Sequence, residues 1–490
     1  MEKNTVVINK KISTITKALE VNGDIIVPDI KPDIVNIINT NGIPYIYKED
    51  ISNGRLRLDG NIDTYVVYLA DTGETRSIQT TLSFSEIVEE KGITEKSIVK
   101  EKIILEGIET KILNERKITI KANLKIKLEF YEKDAIEITT SLDEMEGVEI
   151  LKETVDIKSI VGTNKIKTTV KEDILVDENH EIAEILKTDL EISNLENKIS
   201  YNKVLAKADA NIKIVYLCEN GRIETQNASI PIMSFIDIDK VAEGHICNTE
   251  YFVRNMLFKI NSKEAHSINC QIEFEVCCDA YEVKTIDVIQ DMYGTKNNIE
   301  FTKREVLVQT NAKEVNEKIN INERISIEDI LNIYDTSLNT RVLNKTKSGN
   351  YYNYECELQA QVFYEADSRN GINVKDISLP FVHKSTEEEI EFIINRKQFT
   401  VSNENVNCEV EILARKNDNC LKNISVIDEV NVSELEEEDY YKMFVYFVKS
   451  GDTVWKIAKH FKVCPSDIIS VNNLENPDKL EIGDRLYIAR

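Results

Sequence analysis

Residues 447–488 read FVKSGDTVWKIAKHFKVCPSDIISVNNLENPDKLEIGDRLYI, the most definite local pattern in the chain. Phe444 to Val448 alternates as a half-buried strand does. In the turn Ser450-Gly451-Asp452-Thr453, Asp452 or Thr453 supplies the side-chain oxygen that caps the orphan N–H groups of a helix. Val454, Ile457, Ala458 and Phe461 then fall at i, i+3, i+4 and i+7, on one helical face. Pro465 suits the first position of a second helix, where its missing N–H costs nothing, with Ile468, Ile469 and Val471 available for a core. Asn472-Asn473 ends that helix and Arg485 to Ile488 returns as a strand, so the order is strand, helix, helix, strand. Trp455, the single tryptophan, lies one step off the apolar stripe and is expected to be partly exposed. It suits either an interface anchor or a cover over the edge of a small core.

Working back from this module, the chain repeats itself. Tyr68 (in YVVYL), Tyr216 (KIVYL) and Tyr364 (QVFYE) are each 148 residues apart, and the same spacing links Ile34, Ile182 and Ile330, and Ile37, Ile185 and Ile333. Gly73 and Gly221 share it, while Gly371 in the third copy is shifted by two, as a loop insertion would cause. Each unit reads as a strand, a short amphipathic helix carrying the paired isoleucines, and then long alternating strands such as KITIKANLKIKLEFYE and SINCQIEFEVCCDAYE. Dominance of Ile, Val, Tyr and Thr at period two, with 7 prolines and 16 glycines, predicts extended antiparallel sheets. The expected fold is therefore mainly β, of α+β class, with three β-rich units each bearing a short helix, followed by a small βααβ module. The division is 1–155, 156–305 and a shorter third unit 306–431, an acidic linker 432–442 (SELEEEDYYK) and the module 443–490. The charge run TEEEIE, Thr386 to Glu391, reads as a solvated strand or loop inside the third unit.

Charge and composition exclude several classes. The net charge of −25 is uneven: residues 443–490 hold 7 Lys/Arg against 6 Asp/Glu, leaving −26 for residues 1–442. So acidic a body repels nucleic acid and anionic surfaces and leaves neutral or basic proteins as partners. MEKNTVVINKK lacks a signal peptide's apolar core, and no apolar run approaches the roughly 18 residues of a membrane helix, so a cytoplasmic protein without membrane insertion is expected. Nine cysteines, an odd number without a CxxC, fit a reducing compartment. Adjacent Cys277 and Cys278 must face opposite sides of a strand, one buried and one exposed.

No nucleophile elbow, HExxH, Walker A or dinucleotide fingerprint is present, which predicts no enzyme and no cofactor. The five histidines, at 180, 245, 266, 383 and 460, give one ligand-like grouping, His245-x-Cys247 with His266-x-x-x-Cys270. It could converge on zinc only if those segments were neighbouring strands. Cys270, Ile272 and Phe274 alternate as one strand face, so these thiols read better as core, and no metal is expected.

SGDTVWKIAKHF, the NNLENPDKL turn and IGDRLYI together resemble the LysM domain. That resemblance implies a shallow groove for N-acetylglucosamine polymers, with Gly451, Asp452, Thr453 and Val454 on one side and Asn476, Pro477, Asp478, Lys479 and Leu480 on the other. Trp455 stands beside it. Cys464 occupies a position more often Ser or Thr in that family, so the second helix should be weakly capped. Three such units before one LysM domain resemble the SPOCS family of spore coat morphogenetic proteins, of SipL type. What this implies is a non-enzymatic scaffold in the mother-cell cytoplasm at the forespore surface. Its LysM domain would dock coat proteins to a SpoIVA-like coat ATPase, as part of the spore coat. The alternative is a peptidoglycan-binding LysM protein of the wall or cortex.

Overall fold

The computed structural model describes residues 2–142, 147–177, 181–261, 266–310, 316–367, 371–388, 390–402, 405–416, 421–434 and 442–489. The first unit holds β1 (Glu2–Ile26), β2 (Ile34–Ser52), β3 (Arg55–Ala70), β4 (Thr75–Glu89), β5 (Ile98–Asn114) and β6 (Lys117–Ser141). They form two antiparallel sheets, β2-β3-β4 and β1-β6-β5. The second repeats this with β7 (Val148–Leu175), β8 (Ile182–Ser200), β9 (Lys203–Cys218), β10 (Ile223–Asp237), β11 (Ile246–Ile260) and β12 (Ser267–Gly294), in sheets β8-β9-β10 and β7-β12-β11. In the third, the two long outer strands are each divided in two: β13 (Asn297–Gln309) and β14 (Asn316–Ser326), then β15 (Ile330–Ser348), β16 (Tyr351–Ala366), β17 (Gly371–Ser385), β18 (Ile390–Ser402), β19 (Asn405–Lys416) and β20 (Leu421–Glu434). Its sheets are β15-β16-β17 and β14-β19-β18, with β13-β20 as a two-stranded ribbon. Alternation drives these strands. Along β6, Ile118, Ile120, Ala122, Leu124, Ile126, Leu128 and Phe130 all point inward and are buried, while the residues between them face out or lie at the rim.

The α+β class is overturned: the protein is nearly all β, and the only helices among the described residues are two short ones in the C-terminal module. Ile34 and Ile37 lie on β2, and their counterparts lie on β8 and β15. The helix-like i, i+3 spacing has a different cause. Register shifts fall between Ile34 and Asn36 and between Ile37 and Asn39, and recur at the matching places in β8 and β15. A β-bulge inserts one unpaired residue and inverts the alternation, so two isoleucines three apart share one face of a strand. Tyr68, Tyr216 and Tyr364 occupy equivalent places on the middle strands, opposite Ile37, Ile185 and Ile333. The offset of 148 persists through β4, β10 and β17, so Gly371 opens a strand, paired with Ala366, and marks no insertion. β7 and β13 run unbroken across the expected boundaries at 155/156 and 305/306, and β20 continues to Glu434. Residues 435–441 of the expected linker, and His180, lie outside the described residues.

The units close around a pseudo-threefold axis twice. At one end, the third strand of each central sheet packs on the first strand of the next, β4 on β8, β10 on β15 and β17 on β2. Val67, Val215 and Phe363, which are equivalent residues, meet there with Leu186 and Tyr334. At the other end, the distal halves of β1/β6 and β7/β12 and the ribbon β13/β20 form a three-ribbon stalk. Val6, Ile8, Ile136 and Ile138 of the first unit, Val155, Ile157, Ile286 and Val288 of the second, and Val308, Ile424 and Val426 of the third share one core.

Charges bridge the junctions. Arg254 of the second unit, only 6% exposed, donates to Glu101 (2.7 Å) and Glu49 (2.8 Å) of the first and to Glu275 (2.8 Å) of its own. Between the second and third units, buried Lys187 pairs with buried Asp335, which also holds Lys213 at 2.7 Å.

Ile157, wholly buried in the stalk core, should cost about 2–5 kcal/mol when cut to alanine. Urea unfolding followed by far-UV circular dichroism should show the lower midpoint. Burial first, then the neighbouring Glu49, pushes the Glu101 carboxyl up to about 8 from 4.5. A carboxyl raised on folding adds stability that is full below its unfolded pKa and is lost as pH climbs through the folded one. The thermal midpoint should therefore fall between about pH 5 and pH 8, and Glu101→Gln should flatten that slope.

Candidate functional site in the C-terminal module

The module is β21 (Met443–Phe447), α1 (Val454–Phe461), α2 (Pro465–Val471) and β22 (Arg485–Ala489), the two strands being antiparallel partners. Thr453 is the N-cap of α1, its hydroxyl accepting from the Lys456 N–H at 3.2 Å. Asp452 shapes the turn instead, accepting from the Lys449 N–H and the Tyr446 hydroxyl, each at 2.8 Å. Gly451 sits at φ +82°, where a side chain would be strained. The Cys464 side chain makes no capping bond to α2, and Pro465 opens that helix. Asn472 ties α2 to the last strand: its amide donates to the Tyr487 carbonyl at 2.7 Å and accepts from the Tyr487 N–H at 2.7 Å. The Asn476 side chain accepts from the Asp478 N–H at 3.2 Å and its carbonyl from the Lys479 N–H at 3.2 Å, closing a tight turn around Pro477.

Of the ten residues expected at the groove, Gly451, Thr453, Asn476, Asp478 and Lys479 are exposed, and Asp452, Trp455, Pro477 and Leu480 are half-buried. Val454 is buried in the module's core, against which Leu480 packs. The two loops therefore offer polar backbone and side chains to solvent over an apolar floor.

Trp455 is engaged within the chain. Its indole N–H donates to Asp291 at 2.9 Å, and its ring meets Tyr293 edge-on with centroids 5.0 Å apart. Lys459, one turn further along α1, donates to both Asp291 oxygens at 2.6 and 2.8 Å. The Tyr293 hydroxyl donates to the Val463 carbonyl at 2.7 Å. Asp291 and Tyr293 lie near the end of β12, so α1 is seated on the stalk through the second unit. Burial alone would raise the Asp291 carboxyl, but the bonds from Lys459 and Trp455 outweigh it and hold the group below the usual aspartate range. Residues 1–442 gave no signal for these two side chains. Asp291 follows a register shift in β12, and only the folded register brings it to the helix.

The His/Cys grouping does not converge. Cys247 is opposite Ala280 and Cys270 opposite Phe258, ten residues apart along β12, on the order of 30 Å. His245 instead accepts from the Ala242 N–H at 3.1 Å, and no metal-ligating group of His, Cys, Asp or Glu exists among the described residues. Cys278 is buried beside Cys247, and Cys277 is half-buried rather than exposed. No helix among the described residues is long and apolar enough to cross a membrane.

Comparison with protein families matches residues 446–489 to the LysM domain and residues 33–113 and 181–261 to the SipL, SPOCS domain. The two SPOCS matches run from β2 to β5 and from β8 to β11, at the spacing of the repeat. The chain thus carries two SipL-type SPOCS domains and a LysM domain, the makeup of a spore-coat-related, LysM-containing protein. No curated protein and no solved structure matches the chain.

Replacing Asp291 by alanine removes the acceptor shared by Trp455 and Lys459. Because Trp455 is the chain's single tryptophan, its emission should shift to the red and become more open to acrylamide quenching. Acidification below the ordinary aspartate pKa, about 3.9, should do the same to the unaltered protein. A depressed carboxyl pKa gives stability that is present above the unfolded value and lost as pH falls through the folded one.

Proposed function

We propose that this chain is a non-enzymatic scaffold of spore coat assembly, whose LysM module docks coat proteins to a SpoIVA-like ATPase on the mother-cell face of the forespore. The supporting observation is the seat of α1 on Asp291 and Tyr293. It fixes the module to the stalk while the exposed Gly451, Thr453, Asn476, Asp478 and Lys479 remain open to a partner. Residues 297–434 serve as a third SPOCS-like copy. Support for this comes from β15, β16 and β17, which repeat the ranges of β2, β3 and β4 at twice the spacing of 148, with the same bulges. A near-neutral module beside a body of −26 gains little from long-range attraction, so its contacts rest on shape and hydrogen bonding. The exposed groove loops also favour the second reading, an N-acetylglucosamine polymer in that groove.

A fluorescent fusion should ring the forespore, and the double variant Asn476→Ala/Asp478→Ala should weaken binding of the full chain to the coat ATPase by about 1–2 kcal/mol, as loss of two polar contacts would. Calorimetric titration decides between the readings. Micromolar binding of chito-oligosaccharides with none to the ATPase would make the module a glycan reader.

A further inference from the structure

The two junctions that flank the second unit are built from matching positions and differ in what fills them. Where the first unit meets the second, the Glu184 carboxylate occupies a niche beside β4. It accepts from the Ser77 N–H at 2.5 Å and the Ser77 hydroxyl at 3.1 Å. Lys31 at 2.8 Å and Arg76 at 4.0 Å balance its charge. Moving on by 148 residues gives the junction of the second unit with the third, where Ser77 becomes Thr225, Arg76 becomes Glu224, Glu184 becomes Asn332 and Leu186 becomes Tyr334. The shorter Asn332 leaves the niche unfilled. A cavity of about 310 Å³ opens there, with Lys213, Glu224, Thr225, Asn227, Asn332 and Tyr334 in its wall.

The charge of this cavity is settled by two of those residues. Lys213 is held at 2.7 Å by buried Asp335, so its ammonium is already matched. Glu224 stands where the first junction has Arg76, and among the described residues it forms no ion pair. Thr225 is pinned by its hydroxyl, which donates to the Tyr334 carbonyl at 3.2 Å. Tyr334 borders the niche from within the apolar layer, where its ring is buried against Phe363 with centroids 6.1 Å apart. A carboxylate with no ion-pair partner among the described residues and two side-chain amides whose oxygens can accept are together the complement of a guanidinium.

We propose that this niche is a docking site for an arginine side chain presented by a basic protein partner. Glu224 pairs with the guanidinium, and Asn227 and Asn332 accept from its remaining N–H groups. The acidic body draws such a partner in. The site shares no residue with the LysM groove, so the scaffold role assigned to that groove and this inference stand or fall separately.

The test is fluorescence anisotropy of a labelled, end-blocked nonapeptide of alternating arginine and serine, titrated with the full chain at 150 mM salt. Glu224→Gln should weaken binding at least tenfold, and Glu219→Gln, at an exposed site in the preceding turn, less than twofold. Equal losses from both would show that the peptide reads only net charge and would overturn the proposal. The double variant Glu224→Arg/Asn332→Glu rebuilds the first junction's pair in the second. It should fold, with a thermal midpoint no lower than the unaltered chain's, and bind no peptide; undiminished binding by this folded variant would equally refute the site.

Discussion

Three β-ribbons bury their apolar faces against one another, and that shared layer makes three repeats one molecule. A lone two-stranded ribbon is marginal in water, yet here Val155 and Ile157 of the second unit close over Val6 and Ile8 of the first and Val308 of the third. Each ribbon grows out of one unit's sheet, so burying the ribbons also aims the three central sheets at each other. They meet in the second apolar layer, around Val67, Val215 and Phe363. A linear array of repeats must cap its two end faces. A ring of three has no end face, because β17 of the last unit returns to β2 of the first.

Closure frees the junctions to diverge. The bulges of β2, β8 and β15 place residues 39, 187 and 335 at corresponding sites, which hold Asn, Lys and Asp. Identical units would set like against like. The exchange of charge instead lets Lys187 of one unit meet Asp335 of the next in a buried pair, where losing either partner strands the other's charge. Arg254, at the bulge of β11, performs a similar service between the first two units, gathering three carboxyl groups. The quasi-symmetry belongs to the backbone, and the specificity of each junction belongs to its side chains.

The LysM module breaks that symmetry. It follows the third unit in sequence but sits on the second, because Asp291 and Tyr293 are the groups that satisfy the indole N–H of Trp455 and the carbonyl of Val463. Such a seat turns a tethered module into a fixed one. The cap of α1 at Thr453 and the tie from Asn472 to the last strand are made within the module itself.

Local order was legible in the sequence wherever neighbouring residues alone decide it. A cap at Asp452 or Thr453, the helix stripe of the module, the long alternating strands and the repeat spacing of 148 all follow from side chains within a few residues of one another, or from the chain matching itself. The tyrosines at 68, 216 and 364 landed together for the same reason. Isoleucines three apart deceived, because a bulge and a helical turn leave the same spacing and only pairing with a neighbouring strand tells them apart. What tertiary structure alone decided was which surfaces meet. Alternation shows that a strand has an apolar face but not what covers it, and the stalk core draws on residues 420 positions apart, from Val6 to Val426. Trp455 could be read as a partly exposed residue, either an interface anchor or a cover over a small core, but the partner of its indole N–H is an aspartate 164 residues earlier, brought there by a fold whose closure no local pattern encodes.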